Sequence, residues 1–178
     1  MHGNQLKRTV RTGWVQRGVT GAENVAAHSY GVGFTTLILA PTLGEPINLA
    51  RALAMAILHD LPEALTTDIP RPAWRYLPEG SKDGVERKAM AEIVGNLAEA
   101  DEILGLWKEL SEATTVEARL VKDADKLELY LQAIVYEKQS GNQSLQEFWD
   151  AQPSFYFSQC HSLYVAIRDR RPTSERTT

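Results

Sequence analysis

Two imidazoles and two carboxylates stand out in this chain, because each falls where a polar group needs a partner. His59 and Asp60 close the run INLARALAMAILHD, which is apolar almost all round. Polar groups at the end of a core helix call for a hydrogen bond, a counter-charge or a metal ion. His28 shares a helical face with Val32 and Leu39, so its imidazole points inward. In LVKDADKLELYL, Asp125 lies on one face with Ala118, Val121 and Leu129 and needs a cation there. Asp123 falls instead among Arg119 and Lys126 and reads as a solvated ion-pair residue. Taken singly, each has an ordinary explanation: His59 as a C-terminal helix cap, Asp60 as the start of a turn, His28 as a satisfied core histidine. Together they form a two-histidine, two-carboxylate set suited to Mn, Fe, Co, Ni or Zn rather than Ca or Mg. Four protein ligands leave positions open on a six-coordinate ion, which is what separates a catalytic metal from a structural one.

The elements that must position these groups are helices. Pro and Gly divide the sequence into stretches with no sustained period-2 alternation, which predicts an all-α fold. Helices are expected over about 3–10, 22–40, 48–60, 82–98, 101–111, 114–139 and 153–168, with Gly141 ending the longest. The 48–60 helix, with Arg51 its one interior charge, belongs in the centre of the core. Residues 66–80, with Pro70, Pro72, Pro78 and Gly80, read as a long loop near its end, where binding residues collect. The expected organisation is one domain over 1–170 and a frayed tail over 171–178.

Bulk properties remove several function classes. The 178 residues carry a net charge of −4, and the isoelectric point of about 5.6 offers no footprint for non-specific nucleic-acid binding. No run approaches the roughly 18 apolar residues of a membrane span. The single cysteine, Cys160, rules out an internal disulfide framework and a cysteine-rich zinc site, and fits a reducing compartment. The N-terminus MHGNQLKRTVRTGW has no apolar signal region, so the expected location is cytoplasmic. Walker A, His-Glu-x-x-His, G-x-S-x-G and dinucleotide-binding glycine motifs are absent.

The order His…His-Asp…Asp resembles the signature of the HD-domain metal-dependent phosphohydrolases. RTGWVQRGV…ENVAAHS, ALAMAILHDLPEALTTDIP and LVKDADKLELYL are similar to the 5′-deoxynucleotidase and HD-domain-containing protein 2 group, from about Leu6 to about Gly141. The extended HD-x-x-E-x-x-x-x-D block is more specific than the bare signature. The resemblance implies a helical bundle, a homodimer, and a divalent metal held by His28, His59, Asp60 and Asp125. It implies a catalytic carboxylate at Glu63, a substrate-contacting carboxylate at Asp68 and an aromatic substrate contact at Trp14. The characterised nucleotidase has an arginine just before that tryptophan, where this chain has Gly13; Arg11 or Arg17 must then supply the charge.

The implied reaction removes phosphate from a small nucleotide, a (deoxy)nucleoside 5′-monophosphate. A divalent ion lowers the pKa of a bound water towards about 7 and neutralises phosphate oxygens. Glu63, just past the ligands, would orient that water and shuttle its proton; otherwise it is a turn residue opening a helix after Pro62. Asp68 would accept from a sugar hydroxyl, or else cap a turn before Pro70. Trp14 would stack on a sugar or base, or else anchor the N-terminal segment. Lys122, one turn before Asp125, reads as a surface lysine within reach of a phosphate; Trp74 and Tyr76 form a lid or pack at a dimer interface. Two alternatives stay open: an HD phosphohydrolase acting on a triphosphate, cyclic nucleotide or other ester, and a non-catalytic dimerisation module with the metal as a plug.

Overall fold

A computed structural model describes residues 2–172, and of Arg71 the backbone only. Among the described residues ten α-helices follow one another: α1 (Thr12–Val15), α2 (Val25–Leu39), α3 (Leu49–Leu58), α4 (Glu63–Thr66), α5 (Arg71–Trp74), α6 (Ser81–Val94), α7 (Ala100–Glu112), α8 (Val116–Ser140), α9 (Gln146–Asp150) and α10 (Ser158–Arg168). Short 3-10 helices cover His2–Lys7, Ala40–Thr42 and Gln143–Leu145. The described residues contain no strand, only one isolated bridge between Val10 and Asn24.

The long helices start where a side chain satisfies an orphan amide. Asn24 accepts from Ala27 N at 2.9 Å before α2, Asn48 from Arg51 N at 3.1 Å before α3, and Thr115 from Ala118 N at 3.3 Å before α8. Gly141 ends α8 in the left-handed conformation at φ 64°. Four short helices, α1, α4, α5 and α9, escape the sequence reading because one turn carries too little periodicity. Of these, α4 ends where the expected loop over 66–80 begins, and α5 is a single helical turn inside it.

Helix α8 is the axis of the fold, packed by α2, α3, α7 and α10. Ala52, Ala56, Ala118 and Ala124 are fully buried, and their small side chains let the helices close around Met55, Leu120 and Leu127. A helix surrounded on all sides also buries its acids, and each finds a donor. Glu117 accepts from Asn48 N at 2.8 Å, and Glu137 accepts from Trp149 Nε1 at 2.9 Å and Arg171 Nη2 at 2.7 Å.

Several expectations change. Asp123 is fully buried, and Lys126 stands 3.6 Å away. Its Oδ2 accepts from Tyr156 N at 2.8 Å and Phe157 N at 3.0 Å. That clamp holds the segment before α10 extended, so the last helix begins at Ser158 rather than 153. Helix α3 is not enclosed: Ala52 and Met55 are buried, but Ile57 is 66% exposed. Arg171 belongs to the folded body, stacked 4.5 Å over Trp149 and paired with Glu137; residues 173–178 of the expected tail lie outside the described residues.

Candidate metal centre

His28, on the first turns of α2, is fully buried and faces α8. His59 is the residue after α3, with Asp60 next to it. Asp125 comes from α8, and Arg11 from the stretch just before α1. Four parts of the chain thus converge on one point. Asp60 Oδ2 stands 3.1 Å from His59 Nε2 and 3.7 Å from His28 Nε2. His28 Nε2 is 3.1 Å from Asp125 Oδ1, and the two imidazoles meet edge to face with centroids 5.1 Å apart.

The other nitrogen of each ring faces a protein acceptor. His59 Nδ1 is 2.7 Å from the carbonyl of Ala56, which can only accept, so Nδ1 carries the proton. His28 Nδ1 is 2.5 Å from Glu128 Oε2. Both Nε2 atoms therefore turn to the same place. His59 Nε2 is buried and has no hydrogen-bond partner, with Asp60 Oδ2 3.1 Å away. Donor atoms that share one ion through bonds of about 2.1 Å stand roughly 3 Å apart. The spacings of 3.1 Å, 3.1 Å and 3.7 Å, with the orphaned Nε2, fit a divalent metal ion.

The electrostatics match such a cluster. Burial resists the charge of Asp60, but His59, His28 and Arg11 hold its carboxyl far below the usual range. Asp125 is lowered to about 2, with burial opposed by His28 and His59. Burial and Arg11 oppose protonation of His28, yet Asp125 and Glu128 outweigh them and raise it to about 10. Burial would lower Arg11, but Asp60, Asp125, Asp68 and Glu63 raise it. Glu63 opens α4 with a buried Oε2 that has no partner; burial, with Asp60 and Asp68, raises it to about 9.

The residues named from sequence divide into two groups. His28, His59, Asp60, Asp125 and Arg11 come together, with Glu63 and Asp68 in the same electrostatic field. Asp68 also serves the fold, since its Oδ2 accepts from Thr12 N at 2.6 Å and its carbonyl from Thr12 Oγ1 at 2.7 Å, which fixes α1 beside Arg11. The preceding residue, Thr67, is strained at φ 60°. Arg17 is committed elsewhere, 2.7 Å from Glu147 and stacked on Phe148. Trp14 is only 1% exposed, wedged between Tyr136 and Phe148 with its Nε1 donating to Glu23. In this arrangement Trp14 acts as an aromatic anchor for the N-terminal segment, and its ring is not presented to solvent for stacking.

Outside Asp60 and Asp125 opens a polar cleft of about 110 Å³, walled by Lys82 and Glu86 of α6, Ser111 of α7 and Lys122 of α8. Lys122 thus lines the cleft rather than a featureless surface. Lys82 was missed, since nothing local marks a lysine on an exposed helix. Glu128 was also missed, although it sits one turn beyond Asp125 and on a neighbouring face.

A helical bundle with a His…His-Asp…Asp cluster at its heart defines a class, and similarity to known proteins places the chain in it. The chain belongs to the HD-domain family, whose model matches residues 3–158. Among curated relatives it is similar to the 5′-deoxynucleotidase HDDC2 of Danio rerio, 34% identical over 94% of this chain and 83% of that protein. The protein of the same name from Dictyostelium discoideum is 37% identical over 83% and 82%. Among solved structures, a conserved hypothetical protein from Pyrococcus furiosus superposes with a TM-score of 0.81 at 38% identity, covering 94% of this chain and 96% of that one. No helix among the described residues is long and apolar enough to cross a membrane.

Proposed function

We propose that the chain is a metal-dependent 5′-nucleotidase that removes phosphate from deoxynucleoside 5′-monophosphates, with His28, His59, Asp60 and Asp125 as the ligands of one divalent transition metal. The observation that carries the reading is the matched pair of imidazoles: each turns Nδ1 to a protein acceptor and Nε2 towards Asp60, and His28 Nε2 also meets Asp125. The names of the relatives supply the substrate class. When bound, the metal supplies Lewis acidity for an attacking water and for the phosphate oxygens. Arg11, 3.3 Å from Asp60, holds the phosphate and takes the place of the arginine that Gly13 lacks. Glu63, whose ionised form a bound cation favours, takes a proton from the water on Oε2 as the water oxygen attacks phosphorus. The P–O5′ bond breaks, and the proton passes to the nucleoside oxygen. Asp68 accepts from the sugar, and Lys82 and Lys122 draw the anion into the cleft.

The protein is read as cytoplasmic and homodimeric. Tyr30, Phe34, Ile38 and Ile57 are more than half exposed along α2 and α3 and offer an apolar face for a second copy. Sedimentation of wild type against Phe34→Glu tests that face. For the activity, metal content and phosphate release from a nucleotide panel are measured on wild type, His59→Ala and Asp125→Ala. Loss of both metal and turnover in the variants is expected. A wild-type protein inactive with Mn, Co, Ni or Zn removes the enzyme reading.

A further inference from the structure

Glu128 is a carboxylate buried in the middle of α8, 8% exposed, and the phosphatase chemistry above gives it no role. Its Oε2 lies 2.5 Å from His28 Nδ1. On its other side it presses on α2 at Gly31, where a Cβ would stand 2.7 Å from Glu128 Oε1 and 2.8 Å from its Cγ. Gly31 lies in the interior of α2, where glycine is a poorer helix former than alanine. Its backbone there is ordinary right-handed helix, so conformational freedom does not explain it.

We propose that Glu128 is the positioning residue of the metal centre, and that glycine stands at 31 to admit it; this rests on the metal reading above. The reasoning is one of ring orientation. An imidazole can present either nitrogen by turning about its Cβ–Cγ bond, and a ligand histidine is fixed by the acceptor at its second nitrogen. His59 ends a helix, where the last carbonyls lack intrahelical partners, so the Ala56 carbonyl serves. His28 sits inside α2, where backbone carbonyls serve the helix, so a side chain must supply the acceptor. Glu128 does so from α8, at a point where the missing Cβ of residue 31 lets the carboxylate lie against the ring. The carboxylate also raises the donor strength of Nε2 towards a cation.

The test is the dissociation constant for Mn²⁺ and the visible spectrum of the Co²⁺-loaded protein, with thermal unfolding recorded on each variant. Glu128→Ala is expected to weaken metal binding roughly 10–100-fold. Glu128→Gln, whose amide oxygen still accepts from Nδ1, is expected to recover most of it. Gly31→Ala, which pushes the carboxylate away, is expected to weaken binding as Glu128→Ala does and to add little in the Glu128→Ala background. If Glu128→Ala does not fold, Glu128→Gln and Gly31→Ala carry the comparison. Wild-type affinity in Glu128→Ala, or an undiminished Gly31→Ala effect in the double variant, overturns the positioning role and leaves the metal site standing. A wild-type protein that takes up no metal overturns both.

Discussion

Arg11 Nη1 lies 3.3 Å from Asp60 Oδ2, although 49 positions separate them in sequence, while Arg17 is held by Glu147 and the Gly13 carbonyl. Two arginines that compete on paper for one role are thus separated by their partners. A charge-assisted hydrogen bond contributes about 1.5–3 kcal/mol, or roughly 10–100-fold in rate. Arg11→Ala is expected to lower kcat/KM for a deoxynucleoside monophosphate by that factor, and Arg17→Ala to stay near wild type. Steady-state kinetics giving the reverse ranking would assign the phosphate to Arg17.

The Glu63 carboxyl is pushed from its ordinary 4.5 up to about 9 by burial, with Asp60 and Asp68 adding to it. Between those values the folded metal-free protein holds a proton that the unfolded chain releases. Stability then falls as pH rises through the window, since the native state binds more protons than the unfolded one. Thermal melts of metal-free wild type should therefore decline from pH 5 towards pH 9 on account of this group. In Glu63→Gln that contribution disappears, so the variant should melt higher than wild type near pH 8 while losing turnover. Equal pH slopes in the two proteins would contradict the assignment.

Asp123 and Asp125 are two residues apart on α8 and do different work. Removing the Asp123 carboxylate leaves the amides of Tyr156 and Phe157 without their acceptor. Asp123→Ala is expected to cost about 1–3 kcal/mol in urea unfolding. Metal uptake should be unchanged. Asp125→Ala should show the opposite pattern, with metal lost and the fold retained.

Cys160 is fully buried, and burial together with the Asp123 charge pushes its thiol up to about 12. A thiol with little thiolate and no access is inert. Ellman's reagent at pH 8 should read no free thiol in the native protein and one after denaturation. Rapid labelling of the native state would show that the α8–α10 contact opens readily.

The helical class, the long helices and the four ligand candidates were legible in the residues themselves. Helical periodicity and capping are local, and a polar group in an apolar run is conspicuous whatever surrounds it. What tertiary structure decided was which faces meet. Because α8 is enclosed by four other helices, both of its aspartates are buried or half-buried. Reading one face as apolar and the other as solvated puts Asp125 inside and Asp123 outside, whereas Asp123 is fully buried and the Asp125 side chain is 40% exposed at the cleft. Trp14, Arg11 and Arg17 share one short segment, yet only Arg11 reaches the cluster, because Asp68 fixes Thr12 and Glu147 draws Arg17 away. The bond between His28 and Glu128 spans 100 positions, and no spacing rule along one helix can announce a contact made by the packing of two.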